Sequence, residues 1–403
     1  MQRTNILELK PSKRQKKILK EMMFLSSCVY NMANYIVRHE IFEGKPASFA
    51  FSLIRQLIMT EDYQTLGRSY SLPRIMVYGE TNSARFKLIK SGTQKQVGLP
   101  KYYKNRKTKT TIPSYMVMDG CQYSVMAHHV YIPMSRRMRK RYDIGRHFKI
   151  AYNGLPCWKG KQQRGQIHLR DGKFYLHQSV EVCQPKQKTG EVVAGLDLGI
   201  KRVFGLYISN GEEKAIGSRR FLRHWQHYTE LIATEKSRLA RQGRRTSRKV
   251  QRLYRKRTIY LSNLHNNLVA KLFRILNRNK VSILFVGDIK HICKDNDKGR
   301  TLNRMTHNYW SFGSLLGKIE NKAEEFGIRL VKVPEPYTSQ ECPICGHRQK
   351  SNCKDRIFVC SFCGYVDHRD IVGARNILKR GMRGLEGEST HRGETAPLVE
   401  AVA

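Results

Sequence analysis

The chain has 403 residues, 40% of them hydrophobic, and carries 75 Lys and Arg against 32 Asp and Glu, a formal net charge of +43. The apolar content supports a real interior, and the length predicts two or three domains. So large a charge excludes a small acidic metabolite as its reason and points to a polyanion, above all a long nucleic acid, since each Lys or Arg on a phosphate releases condensed counterion; a ribosomal or chromatin protein, or an anionic membrane surface, is the plainer alternative.

In chain order, residues 1–10 alternate weakly and predict a short strand. Pro11 and Ser12 then open a helical stretch in which Ile18, Met22, Leu25, Cys28, Val29, Met32 and Ile36 recur at helical spacing. Helical pattern continues to about Met59 and returns from about Arg74 to Leu88. Residues 90–114 are rich in Lys, Gly, Pro and Tyr without periodicity and read as a basic loop, where Lys101, Tyr102 and Tyr103, with Tyr70, are candidate contacts to DNA. Residues 115–185 predict strands, most clearly a hairpin turning at Asp171-Gly172. Polar residues around Pro185 mark a boundary. Beyond it, Val192–Ile208 reads as two buried strands, 222–279 as a long pair of helices, Val281–Val286 as a buried strand, 311–326 as an amphipathic helix, Ile328–Val333 as a strand and 371–380 as a short helix. That alternation predicts an α/β layer. The acidic, apolar-poor tail after Gly381 predicts disorder. No uninterrupted apolar run exceeds four residues, Ile283–Val286 among them, and no secretory signal follows Met1. A cytoplasmic, nucleic-acid-associated protein of a bacterium or archaeon, without a membrane partner, is expected.

Four of the ten cysteines form two C-x-x-C pairs, Cys342/Cys345 and Cys360/Cys363, separated by fourteen residues. Two thiolates two residues apart can share one tetrahedral ion, and Gly346 and Gly364 behind the pairs let each turn tighten. Four thiolates select zinc in a closed structural site. The ribbon is too short to build a core alone, so zinc should contribute folding energy directly. The other six (Cys28, Cys121, Cys157, Cys183, Cys293 and Cys353) read as small buried residues.

Between Lys236 and Arg257, eleven of 22 residues are basic: Lys236, Arg238, Arg241, Arg244, Arg245, Arg248, Lys249, Arg252, Arg255, Lys256 and Arg257. A helix this dense in like charge is relieved by a phosphate backbone alongside, giving affinity and position rather than base specificity. Asp197 sits inside the apolar run Ala194–Ile200, where a charge is costly unless it is paired or binds metal. A second acidic cluster, Asp367-His368-Arg369-Asp370, follows the cysteine pairs.

Gly195-Leu196-Asp197-Leu198-Gly199, Tyr337-Thr338-Ser339-Gln340 running into the cysteine pairs, and Asp370 with Ala374-Arg375-Asn376-Ile377 together resemble the TnpB (OrfB) proteins of bacterial insertion sequences, the group related to miniature type V CRISPR effectors. Leu7–Gln15 and Tyr30-Asn31 fit more loosely. The resemblance spans nearly the whole chain and is densest from 190 to 380. It implies an α/β RuvC-like nuclease domain of RNase H type, residues 190–340 with a last motif at 366–380, into which a zinc ribbon is inserted at 341–365. A wedge-like β-barrel with a helical recognition insert (about 12–90) would precede it in 1–189, and 381–403 would be the disordered tail. The partners it implies are a guide RNA and double-stranded target DNA carrying a short flanking motif, for a chain acting as monomer or homodimer. Its catalytic acids would hold two Mg²⁺ ions; Asp197 matches the first and Asp370 the third.

The second family acid is a Glu at the end of the fourth core strand, and here Gly287 occupies that place. Asp288 is adjacent, but side chains alternate along a strand and it should face away from Asp197, unless a bulge turns it. The expected substitute is Glu320, at the edge of the apolar stripe Phe312, Leu315, Leu316, Ile319, Ala323 and Phe326. Val372 stands where an Asn is common. An RNA-guided endonuclease is the resulting expectation, with a guided DNA-binding repressor lacking cleavage as the alternative, and a plain DNA-binding protein or transposase behind both.

Overall fold

The computed structural model describes residues 1–46, 51–90, 98–199, 202–217, 219–288, 312–349 and 356–391. The chain divides into two compact units, Met1–Cys183 and Gln184–Ala403, a few residues ahead of the boundary expected after residue 189. Among the described residues no helix is long and apolar enough to cross a membrane.

The first unit is a seven-stranded antiparallel sheet with helices packed on it. Its strands are β1 (Gln2–Leu9), β2 (Met116–Met118), β3 (Ser124–Val125), β4 (His129–Pro133), β5 (His147–Asn153), β6 (Lys161–Arg170) and β7 (Lys173–Glu181), paired in the order β2-β6-β7-β1-β5-β4-β3. A wedge-like β-barrel was expected; among the described residues the strands pair in a single order from β2 to β3. The β6–β7 turn is made by Asp171 and Gly172, both at positive φ (54° and 79°), the geometry that suits the twist of a two-residue hairpin. Helix α1 (Lys13–Phe42) starts at a capping box between Ser12 and Gln15. Its apolar face, Ile18, Leu19, Met22, Val29 and Ala33, joins Leu7 and Leu9 of β1 in one core. The helical stretch does not run on to Met59: α1 stops before Gly44 (φ 74°) and Pro46, and α2 (Phe51–Leu57), α3 (Glu61–Leu66) and α4 (Arg68–Lys90) follow as separate helices. A short helix, α5 (Arg136–Tyr142), interrupts the strands. Tyr70 faces no solvent at all; it is buried, and its hydroxyl donates to the Pro133 carbonyl at 2.7 Å.

The second unit is built on a mixed five-stranded sheet. Strands β8 (Val193–Leu198), β9 (Phe204–Ile208), β10 (Glu213–Ile216), β11 (Ile283–Asp288) and β12 (Arg329–Pro334) pair in the order β10-β9-β8-β11-β12, with β8, β11 and β12 parallel and β9 antiparallel to both β8 and β10. Period-two alternation sorts the residues of β8 onto two faces. Ala194, Leu196 and Leu198 pack in one core with Leu264, Leu268 and Leu272 of α7 (Arg248–Arg278) and with Leu315, Ile319 and Ala323 of α8 (Phe312–Phe326). Val193, with Phe285 of β11 and Val333 of β12, packs instead against Ile377 and Leu378 of α9 (Arg369–His391). The sheet is thus covered by α7 and α8 on one side and α9 on the other. Helix α6 (Arg219–Ala240) joins β10 to α7.

Helix α9 continues to His391, well past the point where disorder was expected. Gly381 lies against the Phe285 ring and Leu385 packs on the same cluster, so sheet contacts carry the helix onward; residues 392–403 lie outside the described residues. Cys28 is half-buried as expected, but Cys121, Cys157 and Cys183 sit in the turns and ends of the strand region and are exposed. Cys293 and Cys353 lie outside the described residues.

Candidate active site

Asp197 is the fifth residue of β8 and shares parity with Val193, so it points to the α9 side of the sheet. Asp370 lies in the first turn of α9 and is 4% exposed, at a helix end that favours a carboxylate. The two approach because Gly373, one turn on, has no side chain: a Cβ there would stand 2.9 Å from Asp197 Oδ2. The third acid at this point is Glu335, one residue beyond β12, with the parity of Val333. It leans across β11 into the space left by Gly287, where a Cβ would meet Glu335 Cδ at 3.2 Å. Glu335 stands close enough to Asp197 for each to act on the other's charge. Asp197 keeps some surface open, but the atoms around it desolvate it. That burial, then the charges of Glu335 and Asp370, raise its pKa well above the ordinary carboxylate value. Burial raises Glu335 as well, Asp288 adding to it.

Arg356 donates to Asp370 Oδ1, and the His368 Nδ1 atom lies 3.6 Å from Oδ2. Oδ2 itself is buried without a hydrogen-bond partner. Asp197 neighbours both Glu335 and Asp370, and Asp370 carries an orphaned buried oxygen; these are oxygen donors of the kind a hard divalent cation such as Mg²⁺ takes, but their oxygens do not all lie within 4.8 Å of one another.

Sequence reasoning placed the second acid on α8, and there the structure corrects it. Ile319 of α8 is packed under Ala194, Leu196 and Leu198, so α8 covers the face of the sheet opposite to Asp197. Glu320 pairs with Lys332 of β12 at 2.7 Å and lines a surface cleft of about 740 Å³ with Glu324 and Gly327. The sheet itself stands between it and the carboxylates. Asp288, the last residue of β11, has the opposite parity to Gly287, yet its charge still reaches Glu335. The signal for Glu335 was available: Val331, Val333 and Glu335 are spaced by two, and the parallel neighbour of β11 ends beside it.

The zinc ribbon forms as spaced. The Sγ atoms of Cys342, Cys345, Cys360 and Cys363 all lie within 4.8 Å of one another, with Cys342–Cys363 and Cys345–Cys360 at 3.6 Å. A tetrahedral ZnS₄ site with Zn–S of about 2.3 Å has edges of about 3.8 Å, so the cluster fits a structural zinc. Gly346 and Gly364 hold positive φ (75° and 71°) behind the two knuckles. Val372 is buried with Cys342, Phe358 and Cys360, which docks the ribbon on α9. Asn376 donates to the carbonyls of Thr338 and Glu341, and Arg380 to those of Pro334 and Pro336, the segment that carries Glu335.

The basic run is not one helix. It spans the end of α6, a turn, and the start of α7, so Arg241, Arg244 and Arg245 sit at the exposed tip of a helical hairpin. Ser247 caps α7 by accepting from the Val250 N–H. Arg238 and Lys249 close the hairpin on Glu235 at 2.7 and 2.9 Å; these contacts hold that carboxyl down at about 2. Arg257 lies over the rings of Trp225 and Tyr254 and donates to Thr229 Oγ1, and Lys236 lies over Tyr254. These four side chains organise the hairpin. Arg241, Arg244, Arg245, Arg248, Arg252, Arg255 and Lys256 are exposed around it.

Two family models match: "Probable transposase" over residues 177–292 and "Cas12f1-like, TNB domain" over residues 312–377. Between them they take in the segments that carry Asp197, Glu335, Asp370 and the cysteine ribbon. These matches support a TnpB-family protein related to the miniature type V effectors. A TnpB-like protein, ORF457 of Acidianus two-tailed virus, is 26% identical over 94% of this chain and 87% of its own length. The CRISPR-associated endodeoxyribonuclease Cas12f1 of Syntrophomonas palmitatica is 23% identical over 54% of this chain, which spans 46% of that protein. Among solved structures, a Cas12f1 in complex with sgRNA and target DNA shares the fold with a TM-score of 0.59 at 15% identity, over 91% of this chain and 83% of that one. The chain therefore shares its fold with that Cas12f1.

Proposed function

We propose that this TnpB-family chain is an RNA-guided DNA endonuclease whose catalytic acids are Asp197, Glu335 and Asp370. The observation that carries the reading is the meeting of these three carboxylates at one end of the sheet, with Gly287 leaving room for Glu335 in place of the family's own Glu. The names of the relatives, the net charge of +43 and the basic hairpin support nucleic acid as substrate and partner. On this reading a guide RNA supplies sequence recognition by pairing, and the protein reads a short motif beside the target. The seven-stranded sheet and helices of the first unit take the place of the wedge and recognition region.

Two Mg²⁺ ions, when bound, would activate a water and stabilise the leaving oxygen of the phosphodiester. Asp197, Glu335 and the Oδ2 atom of Asp370 would hold them as oxygen donors. Arg356 holds the other oxygen of Asp370 and so fixes the carboxylate plane. Arg380 positions Glu335 by holding the carbonyls on either side of it.

The test is guided cleavage. The protein is co-expressed with the RNA flanking its own reading frame, and the purified complex is challenged with a plasmid library that carries a guide-matched target beside randomised flanks. The reading expects Mg²⁺-dependent cutting confined to a subset of flanks and lost without the RNA. Flank-selected binding without cutting in any divalent metal would leave the repressor in its place.

A further inference from the structure

Away from the carboxylates and the hairpin tip, the first two turns of α6 carry a separate concentration of chemistry. Arg220, Arg223, His224 and His227 are exposed and wall a surface hollow of about 510 Å³. Neither arginine has a carboxylate partner among the described residues, whereas Arg164, Arg278, Arg375 and Arg380 are each ion-paired. An aromatic layer stands behind them: the His224 ring is 4.7 Å from that of Tyr260 and 5.6 Å from that of Tyr228. Tyr260 is half-buried and its hydroxyl donates to the Phe221 carbonyl at 3.4 Å. The layer is therefore fixed from within, while His224 is open to solvent.

The topology puts the start of α6 at the catalytic end of the sheet, with Phe221, Leu222 and Trp225 packed in the core on the α7 and α8 side. Leu198, next to Asp197, pairs with Phe204, and Phe204 pairs with Ile216, the last residue of β10. Arg220 follows Ile216 by four residues, so their Cα atoms are at most about 14 Å apart. We infer that this face of α6 binds a single strand of nucleic acid at that end of the sheet, with Arg220 and Arg223 on its phosphates and an unpaired base stacked on His224. A duplex keeps its base faces inside the stack, so an aromatic platform selects an unpaired strand. Only the destination of the strand rests on the cleavage reading; the binding does not.

The test uses the full-length protein with Asp197→Asn, so that the strand survives, and a short oligothymidine with one 5-iodouracil. Photo-crosslinks mapped by peptide sequencing are expected in 219–228 and at Tyr260, and an unlabelled single strand should compete better than a duplex of the same sequence. Above the pH range in which histidine is charged, His224→Ala should lower affinity at this site about 5- to 100-fold with the salt slope unchanged, and His224→Phe should keep it. Arg220→Gln with Arg223→Gln should reduce the slope of log affinity against log salt by about 1.4. Crosslinks confined to 236–257, or equal competition by duplex, would overturn the inference. Loss of guided cutting in the wild type with these crosslinks intact would count against the cleavage reading alone.

Discussion

Glu335 reaches Asp197 because three small facts of sequence coincide: a glycine at the end of β11, an acid two residues after Val333, and a strand pair in parallel register. Asp197 and Asp370 were legible as candidates, one as a charge in an apolar strand and the other beside the cysteine ribbon. Glu335 was not, because it lies just outside its strand, between Pro334 and Pro336, where strand reading stops. Helical spacing drew attention to Glu320 instead, and spacing alone does not say which face of a sheet a helix covers. Close approach at Gly373 makes a separable claim. Gly373→Ala adds a Cβ 2.9 Å from Asp197 Oδ2 in a helix that would otherwise gain about 1 kcal/mol from alanine. Thermal stability should hold or rise, while Mg²⁺-dependent cleavage falls about 10- to 100-fold; wild-type cleavage in a stabilised variant would show that the carboxylate is not held there. A second residue gives a pH effect. His265 of α7 is buried in the core, and burial, with the nearby charge of Lys318, lowers its pKa to about 4. The unfolded chain takes up this proton near pH 6.5, so between about 4 and 6.5 the unfolded state binds more protons and stability rises with pH. Denaturant unfolding of His265→Gln across that window should show a shallower pH slope than wild type, and equal slopes would remove His265 from the account.

Among the elements, the ribbon and the hairpin show how spacing and charge translate into structure with different fidelity. The C-x-x-C pairs read directly, since four thiolates at that spacing have few other arrangements. What spacing did not reveal is that the ribbon packs through Val372 on α9, beside Asp370, and reaches the Glu335 segment through Asn376 and Arg380. Zinc removal should therefore act on catalysis. Cys360→Ser, or a strong chelator followed by excess Mg²⁺, is expected to lower the melting temperature and abolish cleavage, and re-addition of zinc should restore both in the chelated wild type. Full cleavage by zinc-free protein, verified by metal analysis, would uncouple the ribbon from the site. The basic run was legible as charge but not as shape, because Gln242-Gly243 and the Ser247 cap break what the charge density suggested was one helix. Arg244→Gln with Arg245→Gln at the tip should weaken binding of any sequence alike and lower the salt slope by about 1.4 to 1.8. A sequence-selective loss would contradict a phosphate role.

For the molecule as a whole, composition already named the partner class, and the order of strands and helices already gave an α/β unit behind an antiparallel one. The strand order of the first unit and the length of α9 were beyond it, since both depend on contacts between residues far apart in the chain. The claim that organises the rest is that the fold has moved one catalytic acid from β11 to the end of β12 without changing where its carboxylate stands. Guided cleavage by a matched set of variants tests this directly. Glu335→Ala alone should lose about 10³-fold or more in rate, and Glu320→Ala should cut like wild type. Because a Cβ at Gly287 would stand 3.2 Å from Glu335 Cδ, Gly287→Glu combined with Glu335→Ala should return a carboxylate to the same place and recover at least about tenfold of the lost rate. Undiminished cutting by Glu335→Ala, or its loss in Glu320→Ala, would contradict the account.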